Sequence, residues 1–397
     1  MSLSPNVMKI KPSITLTVTA RANAMKAQGI DVIALSAGEP DFDTPKHIAE
    51  AAVEAIRAGF TKYTPSSGIP DLKKAVCDKF RRDNGLEYAP SQVIVNCGAK
   101  HSDFLAIFVL VGPGDEAIVP APYWVSYPDM VTLAGGTPVI VEGSPENGLK
   151  ITPEQLRRAI TPRTKLVVLN SPSNPTGMVY TGAELRALAE VIVEKDIYVI
   201  SDEIYEKLVY DGNRHVSIGS LSDDIFRRTV TVNGVSKVYA MTGWRIGYTA
   251  GPEHIIKAMD AVQSQETSNA TSIAQKAALA GLTGPEDLVQ EMLAEYDRRR
   301  KYMVNRLNAI KGVTCLMPQG AFYAFPDVSG VYGKSHGGNT ITGSADLCDY
   351  FLNEHRLAII PGIGFGADRH VRLSYAVSMA NIEKALDRFE AGLNALE

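Results

Sequence analysis

One alternation constrains the fold of this chain more than any other feature. From about residue 92 to 250, seven short apolar runs rich in β-branched residues recur, "QVIVNC", "EAIV", "TPVIV", "KLVVLN", "IYVIS", "TVTVN" and "IGYTA", separated by longer stretches. A strand with one wet face alternates apolar and polar residues. These runs are apolar on both alternations, which suits strands covered on both sides. Between them "TGAELRALAEVIVEK" places apolar residues at i, i+3 and i+4 with acids near its start, the pattern of an amphipathic helix. The expectation is an α/β fold whose large domain, residues 46–285, has a mainly parallel seven-stranded sheet sandwiched by helices.

The flanks read differently. "GPEDLVQEMLAEYDRRRKYMVNRLNAI" is one long helical pattern, followed by short strand-like runs ("GAFYAF", "LAIIPG", "HVRLSYA") and a terminal helix, "NIEKALDRFEAGLNAL". This predicts a smaller α+β domain made of residues 286–397 together with the N-terminal segment 1–45. The polar, glycine-rich "YGKSHGGNTITG" carries no chemistry we can assign.

Composition narrows the function. A net charge of -4 from 40 basic and 44 acidic residues, with no basic block, argues against nucleic acid or anionic lipid as partner. No apolar run approaches the roughly 18 residues of a membrane span, and the N-terminus has no signal-peptide pattern, so a cytoplasmic protein is expected. Cys77, Cys97, Cys315 and Cys348 lack CxxC spacing and the seven histidines form no ligand pattern beside them, so neither a metal site nor a disulfide framework is expected.

In α/β sheets ligands gather where parallel strands end. After "QVIVNC" comes Gly98-Ala99-Lys100, a small-residue turn into a helix whose free N–H groups could hold a phosphate. "KLVVLN" leads to "SPSNPTG" with Asn174, "IYVIS" to Asp202 and Tyr205, and "TVTVN" to Ser236 and Lys237, with Arg245 shortly after. Singly, each has an ordinary reading as a turn, a helix cap or a surface charge. Together they supply an amine nucleophile, a carboxylate, a phenol, an amide and phosphate ligands, the set that pyridoxal 5'-phosphate needs.

The motifs "NPTG", "SDEIY" and "SKVYAMTGWRIGYTAGP", with "AGEPDFDTP" upstream and "VRLSYA" downstream, closely resemble the class I aminotransferases of fold type I. Within them the chain is most similar to the bacterial aspartate aminotransferases of subgroup Iβ, some of which accept prephenate. The resemblance runs from about residue 7 to the end. It implies that Lys237 binds the cofactor covalently and moves the substrate proton, that Asp202 keeps the pyridine nitrogen protonated, and that Tyr205 and Asn174 bond the 3'-oxygen. Trp124 would stack on the ring. The phosphate would sit on the N–H groups of Gly98, Ala99 and Lys100, on Ser236 and on Arg245, with Tyr63 donated by the partner of a homodimer. Arg372, assisted by Asn174 and Gly38, would bind the substrate α-carboxylate, and Lys100 with Ser13 and Thr15 the distal one. The family pattern also implies cis bonds at Ala121-Pro122 and Asn174-Pro175.

The activity so implied is transfer of the amino group of L-aspartate to 2-oxoglutarate in two half-reactions. A transaminase for prephenate, aromatic amino acids or kynurenine, or a C–S lyase, would share the scaffold. A cofactor-sensing regulator would carry a DNA-binding segment, and a Rossmann dehydrogenase would show GxGxxG after its first strand, which is missing.

Overall fold

The computed structural model describes residues 3–397. Its central element is a seven-stranded sheet built from the seven runs: β1 (Val93–Asn96), β2 (Glu116–Ala121), β3 (Thr137–Glu142), β4 (Thr164–Asn170), β5 (Tyr198–Asp202), β6 (Thr229–Gly234) and β7 (Gly247–Ala250). The strand order is β1-β7-β6-β5-β4-β2-β3. Pairing is parallel from β6 through β5, β4 and β2 to β3, whereas β7 runs antiparallel to both of its neighbours. The sheet matches the mainly parallel architecture expected, and the one reversed strand has a consequence for the site.

Both faces are covered, for the reason the runs announce. Val168 and Ile200 join one apolar cluster with Ile107 and Met259, while Val167 and Val199, the alternate residues, join another with Leu185 and Leu188. The first cluster includes helices α2 (Ala99–Leu110), α3 (Tyr127–Leu133) and α5 (Glu253–Glu266); the second includes α4 (Gly182–Glu194), whose Thr181 and Glu184 form a capping box.

A separate apolar cluster lies in the C-terminal part, where the long α6 (Asp287–Asn308) and α7 (Met379–Asn394) pack on a three-stranded antiparallel sheet of β8 (Tyr323–Ala324), β9 (Ile360–Pro361) and β10 (Val371–Ser374). The N-terminal segment is stitched to this part, since α1 (Ile14–Ala27) precedes Ile33–Ala34, which pair in parallel with Leu357–Ala358. Among the described residues no helix is long and apolar enough to cross a membrane.

Candidate active site

The chain turns at the carboxyl ends of β1, β2, β4, β5 and β6 bring polar residues to one edge of the sheet. There they line a cavity of about 350 Å3 with Gly38, Ala99, Lys100, Trp124, Asn174, Asp202, Tyr205, Ser236, Lys237 and Arg245. Thr15 and Arg372 complete its wall from the N-terminal and C-terminal parts. Twelve residues singled out from sequence thus meet in one place.

Lys237 projects into this cavity from the turn after β6, half-buried, and donates to the carbonyl of Gly38. Burial holds its pKa down at about 8, with Arg372 and Arg245 acting in the same direction and Glu39 opposing. An amine near 8 is partly free base at neutral pH, as a nucleophile or proton carrier must be. Asp202 is the last residue of β5 and 4% exposed. Its carboxylate accepts from the Tyr127 hydroxyl at 2.6 Å and the Ile204 N–H at 3.1 Å. Burial pushes its pKa up to about 6 against the pull of these two donors, so it remains ionised at neutral pH. The bond to Ile204 is a local turn contact, the ordinary role of a strand-end acid.

The phosphate end is set by the reversal of β7. Because β7 runs the other way, it begins at the edge where its neighbours finish, and Arg245, two residues before it, reaches Gly98. Arg245 sits at φ +57°, an uncommon conformation for a side-chain-bearing residue, and donates to Thr242 O at 2.7 Å. Gly98, the residue before α2, has φ +89°, and a Cβ there would collide with the Arg245 guanidinium, so glycine is required twice over. One expectation is corrected: the N–H of Gly98 donates to Asn96 O at 2.8 Å, because the turn folds back on β1. The first N–H groups of α2, at Ala99 and Lys100, remain for an anion, together with Ser236 and Arg245.

At the opposite end Arg372, on β10 and 2% exposed, donates to Asn174 Oδ1 at 3.0 Å and Ser36 O at 2.7 Å, clamped between the rings of Tyr323 and Phe365. Its Nε is buried without a partner, a donor left over for a carboxylate. Asn174 is aimed by its N–H donating to Asn170 Oδ1. The expected cis bond at Asn174-Pro175 is not found; the cis bonds are Ala121-Pro122 and Ser171-Pro172, and hydrogen bonds to Asn170 and Arg372 orient Asn174 instead.

Trp124 lines the cavity with Lys100 Nζ 5.0 Å from its ring centroid. Partial desolvation and the charge of Arg245 lower the pKa of Lys100. Ser13 lies behind Thr15, with 2.9 Å between their hydroxyls, and does not line the cavity itself. Tyr63 is 90% exposed and outside it. Sequence reading missed Tyr127, Tyr323, Asn170, Asp103, Ser36 and Glu39. Tyr323 shares a 2.8 Å hydrogen bond with Tyr205. Asp103 had a signal, since it interrupts the apolar stripe Ala99, Ala106, Ile107 and Leu110 of α2. Elsewhere the acids Glu203 and Glu206 gather at His215, but Lys79 pairs with Glu206 and Ser217 donates to Glu203, so both carboxylates are already partnered.

The family model for class I and II aminotransferases matches residues 30–389. The chain belongs to that family. This aminotransferase is 51% identical to an aspartate aminotransferase of Geobacillus stearothermophilus, over all of both chains. It is also 51% identical to an aspartate/prephenate aminotransferase of Cereibacter sphaeroides, over 98% of each. The crystal structure of the aspartate aminotransferase from Rhizobium meliloti superposes with a TM-score of 0.96 at 46% identity, over 100% of each chain. That of Thermus thermophilus aspartate aminotransferase with maleate gives 0.93 at 47% identity, over 99% of this chain and 100% of that one. The fold is thus fold type I, and the aminotransferase depends on pyridoxal 5'-phosphate. The residues present fit that group: a lysine amine held near 8, an ionised buried acid and a helix N-terminus faced by an arginine.

Proposed function

We propose that this aminotransferase transfers the amino group of L-aspartate to 2-oxoglutarate, giving oxaloacetate and L-glutamate by a two-half-reaction mechanism. The observation that carries the reading is that one cavity is lined by Lys237, Asp202, the buried Arg372 and Lys100 together. Two cations lining the cavity of a reactive amine suit a dicarboxylic amino acid. Aspartate is also in the names of the relatives above.

When bound, pyridoxal 5'-phosphate supplies a carbonyl carbon for amines and a ring that accepts carbanion electrons. Lys237 carries the proton between the reacting carbons, because its desolvated amine gains and loses a proton near neutral pH. Asp202 holds the ring nitrogen's proton, with Tyr127 fixing the carboxylate. Tyr205 and Asn174 would hold the ring oxygen, and Trp124 would pack against the ring. Arg372 takes the α-carboxylate through its unpartnered Nε, with Asn174 and Gly38 assisting, while Lys100, Thr15 and Ser13 address the distal one. Ala99, Lys100, Ser236 and Arg245 cradle the phosphate, and Gly98 leaves room for Arg245.

The assembly we propose is a cytoplasmic homodimer in which Tyr63 reaches the phosphate of the partner's site. Its 90% exposure supports this, as does the display of Val7, Met8 and Leu16 on the N-terminal segment. Within each subunit we assign residues 46–285 to a large domain and 1–45 with 286–397 to a small one. Steady-state kinetics with a panel of amino donors, using 2-oxoglutarate and then prephenate as acceptor, tests the substrate assignment. Lys237→Ala tests the mechanism, with turnover expected to fall by about a hundred- to ten-thousandfold; retained turnover would refute it.

A further inference from the structure

Asp103 lies on α2, three residues past Lys100, and lines the cavity. It is 0% exposed, yet both of its carboxyl oxygens lack a hydrogen-bond partner. Its neighbour Ser102 is satisfied, donating to Asn96 Oδ1 at 2.8 Å. An ionised carboxylate left so would be strongly destabilising. Burial pushes the Asp103 carboxyl well above the usual carboxylate range, the charge of Asp202 adds to this, and Lys100 opposes it. The titratable and charged groups within electrostatic reach of it are Asp202 from β5, Lys100 on its own helix, and Tyr127 from α3, whose phenol both carboxyls push up. The core around them, including Ile200, Val232 and Met259 of β5, β6 and α5, is apolar.

We propose that Asp103 stores one proton in the apoenzyme and gives it up as the cofactor binds, to the pyridine nitrogen that Asp202 faces. This rests on the reading above that Asp202 faces that nitrogen. The Asp103 O–H breaks, the ring N–H forms, and two carboxylates then face one pyridinium cation. Protons balance within the pocket. Asp202 alone, ionised above about 6, brings no proton, so a ring arriving unprotonated would have to draw one from solvent.

The difference is measurable without turnover. The slope of log affinity against pH equals the number of protons taken up on binding. Cofactor binding to the apoenzyme is followed by absorption from neutral to alkaline pH in the wild type and in Asp103→Asn, which keeps the shape but has no proton to release. Titration of Lys237 and of the phosphate contributes to both proteins and cancels in the difference. Relative to wild type, the variant should lose affinity by up to about tenfold per pH unit at alkaline pH. Calorimetry in buffers of different ionisation heat should find up to about one more proton taken up per site. Asp103→Leu should give the same slope, and its apoenzyme should melt at higher temperature, because an unpartnered buried carboxyl is gone; this keeps the test open if the buried amide of Asn disturbs folding. Parallel slopes with normal cofactor uptake overturn the proton store at Asp103 alone. A wild type that takes up no cofactor overturns the parent reading and this one with it.

Discussion

Tyr127→Phe isolates what holds the Asp202 carboxylate in its charged form. The hydroxyl is one of two donors to that carboxylate, at 2.6 Å, and the residue is 2% exposed, so phenylalanine keeps the packing and removes only the bond. A hydrogen bond to a charged buried acceptor contributes about 1.5–3 kcal/mol. At about 1.4 kcal/mol per pKa unit, Asp202 should rise from about 6 to between about 7 and 8. The acid limb of cofactor affinity, measured by spectroscopic titration of apoenzyme, should move up by the same one to two units, with affinity above the limb changed only a few-fold. Stability should follow with a definite sign. The folded-state pKa of this acid lies about two units above that of an unfolded carboxyl, so the folded apoenzyme binds more protons between about pH 4 and 6 and loses about 3 kcal/mol as pH rises through that window. In the variant the loss should continue to between about pH 7 and 8. An unmoved limb, or an affinity loss equal at every pH, would refute the reasoning.

Arg372→Lys should lower kcat/KM by about ten- to a hundredfold for aspartate, alanine and phenylalanine alike, because the guanidinium addresses the carboxylate all of them share; a loss confined to aspartate would count against the role. Lys100→Ala should do the reverse, lowering aspartate turnover by about tenfold or more while sparing alanine and phenylalanine, and equal losses would remove the assignment. His215 is half-buried, and desolvation alone would lower its pKa, yet Glu203 and Glu206 outweigh this and push it up. Its stabilising charge is therefore present below the ordinary histidine pKa and lost as pH rises through the raised one. His215→Gln should flatten the change in denaturant midpoint from the ordinary histidine pKa upward, and an undiminished pH dependence would show the network to be neutral.

The sheet was legible because burial on both faces leaves no choice of residue: Val167 and Val168 point to opposite sides of β4 and both must be apolar. The cavity lining was legible to the same depth wherever its residues end those strands or follow directly on them, as Asp202 and Ser236–Lys237 do. Direction was not legible. A four-residue run such as Gly247–Ala250 carries the same residues whether it runs with or against its neighbours, and only the reversal of β7 explains why Arg245 meets Gly98. Tyr127 and Tyr323 escaped for a different reason, since each packs as a core aromatic and uses a single hydroxyl for the site.

Asp103 sits between these cases. A helix that buries one stripe tolerates no charge within it unless something repays the desolvation, and α2 offers Asp103 no protein partner at all. Where local rules agree everywhere else in a helix, the one residue that breaks them marks the place where stability has been given up for function. The same helix shows this twice. Its first turn leaves N–H groups open beside Gly98, and its second leaves a carboxyl open at the cavity that Asp202 also lines. Both open groups line or border one cavity, and a ligand carrying a phosphate at one end and a basic ring nitrogen at the other would satisfy them together.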